Sequence, residues 1–227
     1  MSADRLIALD RAAELAVADD LPGALALLPW LVSSIALDRA SGGFDAWGRS
    51  TVIDEHAGEV LRRSTFEGLH AIAGLGEDAA WPIGNAGLLH VYGYLLSTVP
   101  TPWGLKRERW LGGELANAYG GPPERFHPWA GPGTLLERVT ADASELLSRP
   151  DARRRTRRVD GVDTVIAVSP ATDVPGRPAA LAYGLDDGRG IRIVTTFPVA
   201  SDPAAVLEEF ETSAPGLRWN AAPPLAP

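Results

Sequence analysis

The amino-acid sequence predicts an α+β fold, with a helical N-terminal two-thirds packed on a small C-terminal antiparallel sheet and a final helix. Three observations predict it. Up to Pro150 the apolar residues recur at the spacing that gathers them on one helix face. After Pro150 the period becomes that of a strand, in runs over 159–168, 180–185 and 191–199 rich in β-branched and aromatic residues. A chain of 227 residues, 45% of them hydrophobic, can also bury a full core. Residues 1–150 are read as a mainly helical region and 151–220 as an antiparallel β region with a C-terminal helix, together one continuous domain. Residues 221–227, rich in Pro and without period, are read as a surface tail.

Leu6, Leu9, Ala13 and Val17 make the first apolar stripe. After Leu21-Pro22-Gly23 a second runs from Leu25 to Leu37, so two antiparallel helices are expected. Ser41-Gly42-Gly43 ends the second, because Gly tolerates the left-handed backbone of a helix C-terminus. Ser50 or Thr51, followed by Asp54 and Glu55, predicts a third helix to Arg62-Arg63, with its acids at the positive end of the dipole. Ser64-Thr65-Phe66-Glu67 has the capping-box pattern and opens a helix that stops at Gly74 or Gly76. Over 85–99, Leu88, Tyr92, Leu95, Leu96 and Val99 keep helical spacing, although Val91-Tyr92-Gly93-Tyr94 has strand composition; helix is the reading adopted.

A further helix runs from about Gly104 to Tyr119, ended by Gly120-Gly121-Pro122-Pro123. Pro132 suits the first turn of the next, which carries Leu135, Leu136, Val139, Ala143, Leu146 and Leu147. The run Arg153-Arg154-Arg155-Thr156-Arg157-Arg158 is read as a solvated face at the junction of that helix with the first strand. Gly161 and Asp186-Asp187-Gly188-Arg189-Gly190 are hairpin signals. A last helix, from Asp202-Pro203 to Thr212, presents Val206, Leu207 and Phe210 to the sheet.

Composition excludes several classes of function. The net charge of −8 opposes a nucleic-acid partner, whose affinity comes from basic side chains that release counterions. With no Cys there is no disulfide, thiol nucleophile, zinc finger or iron–sulfur cluster. No run reaches the length of a membrane span, and acids interrupt residues 1–10, so a cytoplasmic protein with no membrane partner is expected. Arg outnumbers Lys 20 to one, the bias of a GC-rich bacterial genome. No dinucleotide or Walker glycine loop, G-x-S-x-G or H-E-x-x-H occurs, so no cofactor is expected.

The chemistry-bearing residues concentrate between Trp81 and Trp129, which hold four of the seven Trp, three of the four Tyr and the single Lys. On a helix over 85–99, His90 and Tyr94 share a face with Ser97, placing a general acid or base beside a phenol. The turn around Pro102 then delivers Lys106 and Arg109 at a helix start, where the dipole disfavours cations. Lys106 and Arg109 are expected to hold a small anion such as an amino acid or related carboxylate, with Trp103 and Trp110 as apolar wall and Asn117 on the same face. Gly112 and Gly113 inside the predicted helix imply a close approach to that face. The expected function is a cofactor-independent enzyme in which His90 and Tyr94 move protons; self-association is left open. The alternatives are a non-catalytic binding module, a Schiff-base role for Lys106, and a metal-dependent bundle using His56, Glu59, Glu67 and His70.

Overall fold

The computed structural model describes the whole chain except residues 1, 160, 171–175, 187, 200–201 and 214–227. The expected tail over 221–227 and Asp187 of the hairpin signal lie outside the described residues. Helix α1 (Ser2–Val17) buries Leu9, Ala12, Ala13 and Ala16. The expected second helix is two, α2 (Leu21–Leu27) and α3 (Pro29–Ser41), which meet at 94°. Pro29 has no N–H and disfavours helical backbone at Leu28, which adopts φ −124° and ends one helix as it begins the next. Gly42 closes α3 in the left-handed region, as expected. Among the described residues no single helix is long and apolar enough to cross a membrane.

The predicted third helix does not form. In its place are strand β1 (Arg49–Thr51) and a small hairpin of β2 (Ile53–Asp54) and β3 (Gly58–Glu59). The Asp54 carboxylate accepts from the backbone N–H groups of His56 and Ala57 at 3.0 and 3.2 Å, closing a turn instead of starting a helix. Helix α4 (Arg63–Ala73) follows, without the expected capping box: Ser64 donates to Asp19, and Glu67 pairs with Arg63. β4 (Ile83–Asn85) pairs antiparallel with β1, placing Ser50 opposite Gly84.

Residues 86–96 are helical, as read, but wound unevenly. A π-helical turn (Leu88–Tyr92) passes into a 3-10 turn (Gly93–Leu96), and all of both is buried. The start passes so close to Trp47 that a Cβ at Gly87 would lie 2.6 Å from the indole. The next predicted helix is also two, α5 (Lys106–Leu111) and α6 (Glu114–Tyr119). Gly113, at φ 82°, breaks it and packs on Pro123; its glycine serves the break and not a ligand. Helix α7 (Leu135–Ser148) starts at Thr134 with the Thr134–Glu137 capping box and buries the apolar residues expected of it.

Strands β5 (Arg153–Val159), β6 (Val162–Val168), β7 (Ala179–Asp186) and β8 (Ile191–Val199) form an antiparallel sheet in sequence order. The arginine run is not a junction but the edge strand itself, where charge discourages pairing with another chain. Helix α8 (Pro203–Thr212) covers it with Val206, Leu207 and Phe210, as expected, while Arg155 pairs with Glu211 at 2.7 Å. Helix α7 packs on β6, β7 and β8. The segment before β1 ties the helical region to the sheet: Gly48 N–H donates to Ile193 at 2.8 Å and Trp47 Nε1 to Thr140 at 2.8 Å.

One buried acid joins three of these elements. Asp38 of α3 accepts from the Tyr92 hydroxyl and from the Thr134 hydroxyl, each at 2.5 Å, and all three residues are buried. Burial raises the Asp38 pKa above the usual carboxylate value, against the pull of the Thr134 and Tyr92 hydroxyls. Removing the acid takes the charged acceptor from two buried hydroxyls, at about 1–3 kcal/mol each. Asp38→Ala is therefore expected to lose about 2–4 kcal/mol in urea unfolding, and the further loss on adding Tyr92→Phe is smaller than that of Tyr92→Phe alone; a loss under about 1 kcal/mol would show that the acid is no brace.

Candidate functional site

The hairpin, the π-helical turn and the start of α5 converge on one cluster. Its deepest member is His90, whose Nε2 lies 2.9 Å from the Ser50 hydroxyl of β1. The His90 ring meets Tyr94 edge to face with centroids 4.7 Å apart. Over the Tyr94 ring, 4.2 Å from its centroid, stands the ammonium of Lys106. That ammonium also bonds Asp54 at 3.1 Å, and Asp54 is the residue that closes the hairpin turn. On the outer side His56 of the same turn packs edge to face on Trp103 at 5.4 Å and pairs with Glu55 at 3.0 Å.

Local chemistry holds each piece. The turn before α5 is closed by Thr101, whose backbone exchanges two hydrogen bonds with Gly104 at 3.0 Å and whose hydroxyl accepts from Trp103 N–H at 3.2 Å. This pushes Trp103 outward, 51% exposed. Arg107, buried, fixes the start of α5 by donating to the carbonyls of Leu95 and Ser97 and to Asp10 at 2.8 Å. Lys106, its neighbour, is thereby aimed back toward the hairpin.

The electrostatics divide the cluster into a charged, partly exposed end and a neutral, buried end. Burial, and then the nearby Lys106 charge, holds His90 well below its usual 6.5, so its imidazole is neutral at physiological pH. Burial disfavours the Lys106 ammonium, but Tyr94 and Asp54 outweigh it and its pKa ends above the usual 10.5. Burial opposes the Asp54 charge too; the His56 N–H and Lys106 overcome it, and its pKa ends below 3.8. The pair is therefore ionic, with side chains 24% and 13% exposed. Schiff-base formation needs the free amine, which the Asp54 pairing of Lys106 disfavours.

Of the residues singled out from sequence, His90, Tyr94, Lys106 and Trp103 come together. Arg109, Trp110 and Asn117 do not. Arg109 turns to the sheet, donating to the Pro198 carbonyl at 2.9 Å with its guanidinium 5.9 Å from the Phe197 ring centroid. Trp110 is a core residue packed near Phe126, and Asn117 is exposed with its carbonyl bonded to Arg177. The cause is the break at Gly113, which separates Asn117 from the face of α5, and the register of a short helix, which sends Lys106 and Arg109 to different neighbours. Ser97 also leaves the face of His90, since the 3-10 turn ends before it and its hydroxyl accepts from Val99 N–H.

The metal alternative loses its geometry. His56 and Glu59 sit on a hairpin, not on a helix, and His70 is satisfied by Phe66 O at 2.8 Å and Asn85 N–H at 3.1 Å. Among the described residues no group of three or more His, Cys, Asp or Glu could hold a metal ion. Ser50 and Asp54 complete the cluster, although in the sequence both fit the start of a helix. The signal that identifies them is a short Gly-bearing loop, Glu55-His56-Ala57-Gly58, between Val52-Ile53 and Val60, a hairpin pattern.

Neutral burial of histidines has a stability consequence. His70 is also lowered, by burial first, so for both rings the unfolded chain binds protons more readily than the folded one. Their contribution is complete above pH 6.5 and is lost as pH falls below it, by about 1.4 kcal/mol per pH unit for each ring until its folded pKa is reached. Urea midpoints measured from pH 7.5 to 5 should fall, and His90→Gln should flatten that fall; an unchanged slope in the variant would contradict the neutral, buried imidazole. Comparison with family models, curated proteins and solved structures finds no match for this chain.

Proposed function

We propose that the chain is a cofactor-independent acid–base enzyme acting on a small molecule that carries a carboxylate, with its site at the cluster of Ser50, Asp54, His90, Tyr94 and Lys106. One observation carries the reading: segments far apart in sequence bring a neutral imidazole, a hydroxyl, a phenol and an ion pair into a continuous line of contacts. Of these groups the buried imidazole has a strongly shifted pKa, and a titratable group so shifted beside specific charge partners is a functional-site candidate. Lys106 binds the carboxylate, and Trp103 with His56 forms the wall beside it. His90, uncharged and joined to Ser50, accepts a proton from substrate or from the Ser50 hydroxyl and returns it. Tyr94 lies between the cation and the imidazole and fixes their separation. The π-helical turn that carries His90 is a winding found frequently at functional sites.

The reading is tested by incubating the full chain with a library of amino acids, hydroxy acids and other small carboxylates and following products by mass spectrometry. Turnover is expected in the wild type and lost at least a hundredfold in His90→Gln, which keeps a hydrogen-bonding group for Ser50. Equal turnover by the variant, or no turnover across the library, would overturn it. A second reading, a non-catalytic binding module, draws on the exposure of Trp103. Under it, Trp103→Ala abolishes partner binding while all small molecules leave the melting temperature unchanged; a ligand that raises the melting temperature through Lys106 would exclude it.

A further inference from the structure

The partly exposed end of the cluster has a charge balance that restricts what it can bind. Lys106 and Asp54 are each other's ionic partner at 3.1 Å, and both are partly open to solvent. Behind them stand a neutral imidazole, a serine hydroxyl and a phenol. The second cation expected from the sequence, Arg109, is spent on the Pro198 carbonyl. Beside the pair His56 meets Glu55 at 3.0 Å, so this contact adds no surplus positive charge. A simple carboxylate that approaches Lys106 therefore meets the Asp54 carboxylate at almost the same distance, and attraction and repulsion largely cancel. A simple amine meets the converse.

A ligand with both charges escapes this. Its carboxylate on Lys106 and its ammonium on Asp54 turn one ion pair into a closed ring of four alternating charges, with each attraction kept and no like charges adjacent. The N–Cα–C bonds of an α-amino acid hold its two charged groups about 3 Å apart, matching the Lys106–Asp54 spacing, whereas a γ-amino acid holds them farther apart. Asp54 can meet the ammonium without giving up its turn, since Oδ1 serves the His56 and Ala57 N–H groups and Oδ2 faces Lys106. We infer that the site takes a zwitterion of the α-amino-acid class, bound across the Lys106–Asp54 pair. This rests on reading the cluster as a ligand site.

The test is calorimetric titration of the full chain with the twenty proteinogenic L-amino acids, followed by the des-amino and des-carboxy analogues of the tightest binder and by 4-aminobutyrate. The amino acid is expected to bind at least tenfold tighter than each analogue. Asp54→Asn keeps the acceptor that closes the turn, and should weaken the amino acid at least tenfold while leaving the des-amino acid unchanged or tighter. Lys106→Met should remove binding of both. If the des-amino acid binds as tightly as the amino acid and Lys106→Met abolishes it, the cluster remains a ligand site and the zwitterion inference is overturned. If Asp54→Asn weakens both to the same degree, Asp54 acts only as a brace and the inference is again overturned. Absence of binding by all twenty amino acids overturns it outright.

Discussion

A carboxylate with no exposure to solvent, that of Asp38, is the constraint on which the helical region turns. It sits on α3, takes one hydroxyl from the π-helical turn and one from the cap of α7, and so fixes three elements that are far apart in the chain. Burial of a carboxyl group is costly, and two short hydroxyl bonds answer the cost only if both partners are held in place. The π-helical turn is thereby anchored through Tyr92, and the residues two positions to either side of it, His90 and Tyr94, inherit their places. Burial raises the Tyr92 hydroxyl well above its usual value, aided by the Asp38 charge, so the phenol stays a donor at any ordinary pH.

From that anchor the site is assembled by polar bonds more than by apolar packing. The Asp54 carboxylate closes a hairpin turn with one oxygen and holds Lys106 with the other. Arg107 secures the start of α5 on backbone carbonyls, which leaves its neighbour Lys106 pointing to Tyr94 and Asp54. The same ammonium helps keep His90 uncharged. Removing any one of these groups alters the environment of the others, because in a site of low dielectric each charge sets the protonation of its neighbours. A neutral base beside a retained cation follows from this arrangement, and that combination is the chemical content of the cluster.

Where the structure departs from local pattern, the physical cause is shared: one polar or flexible residue can satisfy more than one arrangement. Asp54 fits the first turn of a helix, but a short carboxylate serves a turn equally well; β-branched Val52 and Ile53 and the positive φ of Gly58 favour the hairpin. Gly112 and Gly113 are unusual within a helical pattern because they form the break between α5 and α6, where Gly113 packs on Pro123. Arg109 was grouped with Lys106 by proximity in sequence, and its partner, the Pro198 carbonyl, comes from a strand nearly ninety residues on. His90 and Tyr94 survived because their i, i+4 relation is local, even though the winding between them is irregular.

What the sequence determined by itself was carried by short-range pattern: the division into a helical part and a C-terminal sheet, the last three strands and the last helix, the closing glycine of α3, the buried face of α7, and the pairing of His90 with Tyr94. These follow from the period of apolar residues and from backbone preferences that act within a few positions. The tertiary structure alone decided that Ser50 meets His90, that Lys106 meets Asp54, and that Arg109 leaves for the sheet. Those partnerships join residues 40 to 89 positions apart, and they are settled by which buried polar groups find one another as the core closes, a competition that no local spacing records.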